Sequence, residues 1–129
     1  MFENVKIKIM KGYLFLEYPA CGTCRKTKKW LDEQKVDYTN RHIVEERPTR
    51  EELKIWFERS VLPLRKFFNT SGLLYKSMQL REKLDGMSEE EQLELLASDG
   101  KLVKRPLVIG EDFVLVGFKP EEWEKVLLK

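Results

Sequence analysis

Hydrophobic and polar positions alternate between two periods along this chain, and the switches between them lay out its elements. Residues 13–18 (Tyr-Leu-Phe-Leu-Glu-Tyr) are mostly apolar and aromatic, as in a buried central strand. Residues 23–35 follow as a first helix. Trp30 and Leu31 supply its apolar contacts, while Lys26, Lys28, Lys29, Asp32 and Glu33 turn to water. Residues 36–43 alternate again and carry β-formers, which predicts a second strand. A strand–helix–strand unit of this length implies parallel pairing with a right-handed crossover.

The middle of the chain reads as helical. Thr49-Arg50-Glu51-Glu52 fits a capping box, with Leu53, Trp56 and Phe57 on the apolar face behind it. After Pro63, residues 64–68 are short and apolar, and Asn69-Thr70-Ser71-Gly72 reads as a turn. Residues 73–84 predict one or two short helical turns. Ser88 caps a further helix with Glu91 at its third position, Leu93, Leu95 and Leu96 inside, and Asp99-Gly100 closing it. Leu107-Val108-Ile109, the turn Gly110-Glu111-Asp112 and residues 113–116 make an antiparallel hairpin. Pro120 starts the last helix, with Glu121 and Glu122 in its first turn and Trp123, Val126 and Leu127 inward. Residues 1–12 stand apart. Val5, Ile7 and Ile9 alternate with Lys6, Lys8 and Met10 in a strand-like way, and the expectation is a loosely held N-terminal extension.

Composition narrows the setting. The chain has 129 residues, enough for one domain and too few for two ordinary ones. With 24 basic and 22 acidic side chains its net charge is +2, which makes no case for direct nucleic-acid binding. No apolar stretch reaches the length of a membrane span, and no secretory leader is visible. Two cysteines are too few for a disulfide-stapled secreted scaffold, so a reducing cytoplasm is the expected compartment. A monomer is expected.

Both cysteines lie in Cys21-Gly22-Thr23-Cys24, between the first strand and the first helix. That places Cys21 near the first free N–H groups of a helix, whose dipole favours thiolate over thiol, with Arg25 and Lys26 adding positive charge. Cys24, one turn on, is close enough to attack a mixed disulfide on Cys21. The pattern therefore points to thiol–disulfide exchange. Half a zinc site is the competing reading, but only His42 is available as a further ligand of the usual kind. Two inert core cysteines are the other. Gly22 leaves room for backbone N–H groups at the sulfur, and Thr23 is placed to donate to it. His42 reads as a structural strand residue. Trp30, Trp56 and Trp123 read as core, Glu89-Glu90-Glu91 as a helix-start acidic run, and Lys26, Lys28 and Lys29 as a solvated face. The fold expectation is α/β. The order of elements builds one mixed sheet with helices on it, and the two-cysteine turn after its first strand suggests a thioredoxin-like arrangement.

Several segments, in order, resemble one known family. Tyr18-Pro19-Ala20-Cys21-Gly22-Thr23-Cys24-Arg25-Lys26, followed by Trp30-Leu31, is similar to the opening of the ArsC/Spx family. Lys66-Phe67-Phe68-Asn69-Thr70-Ser71-Gly72 resembles its middle segment in an ArsC-related bacterial branch. Glu91-Gln92-Leu93-Glu94-Leu95-Leu96-Ala97 and Lys104-Arg105-Pro106-Leu107 resemble later ones. The resemblance spans residues 13–127 and implies a thioredoxin-like (glutaredoxin-like) mixed four-stranded sheet with flanking helices, residues 13–129 forming a single domain with a helical lobe inserted at about 48–100. It implies that Cys21 is the nucleophile, that Arg105 faces it, and that Pro106 follows a cis peptide bond. Arg105 would then hold a thiolate or anionic substrate by charge-assisted hydrogen bonds. A cis Pro106 would turn backbone groups toward the sulfur.

The family has two trades. Its arsenate reductases use one cysteine at the site, glutathione with glutaredoxin, and three arginines around the oxyanion. Here Arg105 alone is kept. Asn69 stands at the middle position, and the last falls near residues 117–119, where Lys119 is a poor substitute for a guanidinium fork. Its Spx-type regulators carry a Cys-x-x-Cys switch and bind the C-terminal domain of the RNA polymerase α-subunit. The Leu62-Pro63-Leu64 segment departs from the glycine-containing segment used for that contact. The leading expectation is a thiol–disulfide oxidoreductase in which Cys21 attacks, Cys24 resolves and Arg105 stabilises the thiolate. Gly22, Thr23, Arg25, Asn69 and Pro106 are the expected substrate-binding positions. No bound cofactor is implied, and glutathione with glutaredoxin, or thioredoxin, would supply electrons. A Spx-like regulator comes second and an arsenate reductase with an altered anion site third.

Overall fold

The computed structural model describes residues 12–128. Residues 1–11, where most of the expected extension falls, lie outside that range. The strand β1 (Tyr13–Glu17) pairs in parallel with β2 (Tyr38–His42) and antiparallel with β3 (Leu107–Ile109), which pairs antiparallel with β4 (Val114–Val116). The sheet order is β2-β1-β3-β4. The helix α1 (Gly22–Glu33) makes the crossover between the two parallel strands.

Alternation along the strands divides the core. Phe15, Val108 and Leu115 pack on one face of the sheet with Leu31 of α1 and Trp123 of the last helix, α6 (Pro120–Leu127). Leu16, Leu107, Ile109 and Val114 face the other side, against the helical lobe. That lobe comprises α2 (Arg50–Ser60), α3 (Leu73–Ser77), α4 (Leu80–Lys83) and α5 (Glu89–Ser98), with 3-10 turns at Leu64–Phe67, Leu84–Gly86 and Gly100–Leu102. Trp30 bridges α1 to α6 through edge contacts with Phe118 and Trp123. The result is the mixed four-stranded sheet, flanking helices and inserted lobe that the order of elements predicts.

Both expected capping boxes are present. Thr49 Oγ1 accepts from the Glu52 amide at 3.1 Å, and Ser88 Oγ from the Glu91 amide at 3.1 Å. Glu52 also takes both guanidinium nitrogens of Arg41, each at 2.9 Å, and so pins α2 to the edge strand β2. The Thr49→Ala change removes the cap acceptor. It should cost about 1 kcal/mol and lower the thermal midpoint by roughly 4 °C for a domain of this size, measured by far-UV circular dichroism.

One sequence expectation changes its reason. Gly100 follows α5, but not as a left-handed helix stop: Asp99 at the helix end is extended (φ −158°, ψ 120°). A Cβ on Gly100 would lie 2.1 Å from the Ile43 carbonyl oxygen. The glycine is there because the lobe meets the backbone just after β2 at contact distance. This seam aligns the middle segment with the edge of β3. The Asn69 amide donates to the Leu102 carbonyl at 2.8 Å, and the Lys104 amide to the Phe67 carbonyl at 2.7 Å. No described helix is long and apolar enough to cross a membrane.

Candidate functional site

The end of β1 turns sharply into α1. The Cys21 amide donates to the Tyr18 carbonyl at 2.9 Å, and Cys21 occupies the N-cap in an extended conformation. The first turn of α1 contains no acidic residue, so nothing there opposes a negative charge at the cap. Helical periodicity then turns Cys24, Thr27 and Leu31 inward. Both cysteines are free thiols; Cys21 is half-buried and Cys24 fully buried.

One turn apart, the two sulfurs titrate in opposite directions. For Cys21, desolvation raises the pKa, but hydrogen bonding from the Cys24 backbone and side chain and from Arg105, together with the Arg105 charge, outweighs it and holds the thiol below its ordinary 9.0. For Cys24, burial dominates. With the neighbouring Cys21 acting in the same sense, it pushes the thiol up to about 12. A partly accessible thiol that ionises more readily than usual thus sits over a buried one that ionises less readily, which is the asymmetry that attack followed by resolution requires.

Arg105 reaches this pair from the start of β3. Its guanidinium lies 4.8 Å from the centroid of the Tyr18 ring, over its face, and Tyr18 meets His42 edge-on at 5.7 Å. The His42 Nδ1 accepts from the amides of Val44 and Glu45 at 3.2 and 3.0 Å, so this histidine braces the turn after β2. The Arg105–Pro106 peptide is cis, as the family resemblance implies. In front of Cys21 opens a cleft of about 770 Å³. Its walls are the start of α1, residues 62–72 of the lobe, and the chain from β4 into α6.

Cys21, Thr23, Asn69 and Arg105 all line this cleft. The Asn69 side chain is mostly buried and already engaged: its amide donates to the Lys101 carbonyl at 3.4 Å, and its oxygen accepts from the Ser71 hydroxyl at 3.5 Å. It holds the lobe wall in place. Arg25 does not line the cleft; its guanidinium turns back to donate to the Pro19 carbonyl at 2.9 Å, bracing the turn below Cys21. Gly22 and Pro106 shape the backbone on either side without lining the opening. The Tyr18 ring under Arg105 was not visible in the sequence, nor were Lys66 and Lys104 as cleft residues. The juxtaposition of Lys104 with Arg105 in Lys104-Arg105-Pro106 was the one available hint. Gly117, in the left-handed region at φ 75°, carries the backbone past Lys104, whose Cε lies 3.2 Å from where a Cβ would stand. Among the described residues no cluster of three or more His, Cys, Asp or Glu side chains could hold a metal ion.

The sequence model of the ArsC family matches residues 16–126, from β1 into α6. The chain belongs to the ArsC family. Among relatives of this ArsC-family chain, YusI of Bacillus subtilis, an uncharacterised protein, is 56% identical over 111 residues, covering 86% of this chain and 94% of the relative. The regulatory protein MgsR of the same organism is 34% identical over 115 residues, covering 89% and 90%. A crystal structure of an ArsC family related protein from Bacteroides fragilis superposes with a TM-score of 0.87 at 63% identity, covering 91% of this chain and 98% of that one.

Proposed function

We propose that this ArsC-family protein is a thiol–disulfide oxidoreductase. The observation that carries the reading is the geometry of the pair: Cys21 at the helix cap lines an open cleft with its pKa lowered, and Cys24 lies buried one helical turn behind it with its pKa raised. The Cys21 thiolate attacks one sulfur of a substrate disulfide. A Cys21–substrate mixed disulfide forms, and the other half leaves as a thiolate that takes a proton from water. Cys24 then gives up its proton, and its sulfur attacks that of Cys21. The second half leaves as a thiol, and the protein keeps the Cys21–Cys24 disulfide. Two electrons have passed to the substrate. A thiol reductant, glutathione with glutaredoxin or thioredoxin, returns them by the reverse exchange. No resident cofactor enters. Arg105, the Cys24 amide and the positive end of α1 offset the charge on Cys21 throughout.

The test is NADPH consumption in a recycling assay with a small disulfide, coupled through glutathione or thioredoxin. Turnover should appear with the disulfide and stay at background with arsenate. Absence of turnover on any disulfide would sink the proposal, and arsenate-dependent turnover would shift it to arsenate reduction. The engaged Asn69 amide speaks against a second anion clamp at that position. A regulatory role is the second reading, favoured by the 34% identity to a regulatory protein and by Val61 and Leu73. These stand 88% and 87% exposed beside the cleft wall, as apolar contacts for a partner such as the RNA polymerase α C-terminal domain. A pull-down in both redox states decides it: a complex in either state favours the regulator, and none in both removes it.

A further inference from the structure

One buried ionisable group has no part in the exchange as written. Glu17, the last residue of β1, is only 6% exposed, and of the buried polar side chains among the described residues (Glu17, Thr27 and Asn69) it alone can carry a charge. Two residues on from Phe15, its side chain leaves the strand on the same face, which α1 covers with Cys24, Thr27 and Leu31. Phe15 and Leu31 pack in one cluster. The crossover helix runs back against the strand, so the step of about 7 Å from Phe15 to Glu17 matches one helical turn from Leu31 to Thr27, and Cys24 is the next inward residue. The peptide that joins Glu17 to Tyr18 touches the sulfur itself: the Tyr18 amide donates to Cys24. The Glu17 side chain and the Cys24 thiol therefore share the space beneath the first two turns of α1. Asn40, the register partner of Phe15 on β2, holds the carboxylate there, donating from Nδ2 to Oε2 at 2.9 Å. Asn40 is fixed in turn by Lys28, whose Nζ donates to Oδ1 at 3.3 Å. No cation pairs with Glu17 among the described residues. A carboxylate buried without an ion pair is destabilising, and a glutamine would fill the same space and accept the same bond, so packing alone does not call for the acid.

The resolving step does call for it. Cys24 is buried away from water, and its proton has to leave before its sulfur can attack. We infer that Glu17 is the proton acceptor for Cys24. This rests on the thiol–disulfide reading above and supplies the base for its second step. The Cys24 S–H bond breaks toward Glu17 Oε1 as the sulfur attacks Cys21. The bond between Cys21 and the substrate sulfur breaks, its electron pair leaves with the substrate, and that sulfur takes a proton from water. In the returning exchange the reductant thiolate attacks Cys21, Cys24 departs, and the Glu17 carboxylic acid hands the proton back. No electrons move beyond the two already counted. The other ionisable groups around this space are occupied. Lys28 and Asp32 of α1 are tied to the Tyr38 hydroxyl of β2 at 3.4 and 2.7 Å, and His42 and Arg105 are engaged at the Tyr18 ring. Glu17 is the acceptor that remains.

The experiment mixes the reduced full-length protein with a chromophoric aromatic disulfide in a stopped-flow instrument and follows release of the aromatic thiol. Two equivalents should appear, the first as Cys21 attacks and the second as Cys24 resolves. In the wild-type protein the second rate should stay level as pH rises above neutrality, because an internal base takes the proton; with water as the only acceptor it would climb in proportion to hydroxide. Glu17→Gln should keep the first rate, slow the second by roughly a hundredfold near neutrality, and give the second rate a slope with hydroxide. Glu17→Asp, which keeps a carboxylate on a shorter stem, should fall between the two. A purely structural role would lower both rates together and change no slope. A wild-type second rate that climbs with hydroxide, or a Glu17→Gln protein that matches wild type in both phases, would overturn the inference and leave the oxidoreductase reading intact. Release of a single equivalent at every pH would overturn both. The wild-type profile needs no variant, so the test stands even if Glu17→Gln does not fold.

Discussion

Cys21→Ser should abolish disulfide reduction, and Cys24→Ser should stop it halfway. In the first variant the nucleophile is a hydroxyl, which the surroundings of Cys21 cannot ionise near neutrality, and turnover should fall to the uncatalysed background. In the second the thiolate remains. Hydrogen bonding from the Cys24 backbone and from Arg105, and the Arg105 charge, still act on it. It should attack a substrate disulfide once and then hold half of it as a stable mixed disulfide, visible by intact mass. Equal phenotypes for the two variants, or no trapped adduct on Cys24→Ser, would refute the division of labour. The pH dependence has a definite sign in each case. With its pKa held below 9.0, Cys21 gains thiolate character as pH rises toward that value, so alkylation by iodoacetamide should be half-maximal below pH 9.0. Cys24, pushed up to about 12, should resist alkylation across that whole window. The same shifts enter folding stability. Between its folded pKa and 9.0, Cys21 binds fewer protons folded than unfolded, so its contribution grows with pH and is lost as pH falls through the folded pKa. For Cys24 the contribution is present below 9.0 and is lost as pH climbs toward about 12.

Elements were legible wherever a local rule decides them. The two capping boxes, Pro120 opening α6 and the apolar run of β1 need only neighbours in sequence, and each stands where the pattern places it, β1 ending at Glu17. The hairpin β3–β4 came out one residue shorter than the reading, with Phe113 in the turn and its ring against the Cβ position of Gly110. Gly100 shows where local rules stop: a glycine after a helix resembles a helix stop, and only the distance to Ile43, from the far side of the lobe, reveals a packing role. The site divides the same way. Cys21 and Cys24 belong to one helical turn and could be paired by spacing alone. The bearing of Arg105 on Cys21 spans more than eighty positions of chain, and the family resemblance, not spacing, brought it in. Arg25 went the other way. Its position by the cysteines suggested a ligand contact, but a carbonyl left free by the turn at Pro19 captures its guanidinium first.

Arg105→Ala should move the half-ionisation of Cys21 back toward the ordinary thiol value and slow its alkylation near neutral pH by roughly tenfold, the equivalent of one pKa unit. The argument starts from what else could hold the thiolate. The start of α1 and the Cys24 amide remain in the variant, so part of the lowering should survive; Arg105 contributes both a hydrogen bond and a charge, and both go. Arg105→Lys should recover less than the charge alone suggests. A lysine neither keeps a guanidinium over the Tyr18 ring nor presents a fork of donors at the sulfur. The ring contact itself can be read separately. Tyr18→Phe keeps an aromatic face beneath Arg105 and should leave the titration nearly unchanged. Tyr18→Leu removes a contact of about 0.5–1 kcal/mol at a partly exposed site and should give a shift in the same direction as Arg105→Ala but a fraction of its size. The measurement is thiolate absorbance at 240 nm against pH, with circular dichroism confirming that each variant is folded. An Arg105→Ala protein that titrates as wild type would mean that α1 and the Cys24 amide hold the thiolate unaided. The guanidinium would then face the cleft for its ligands and not for the sulfur.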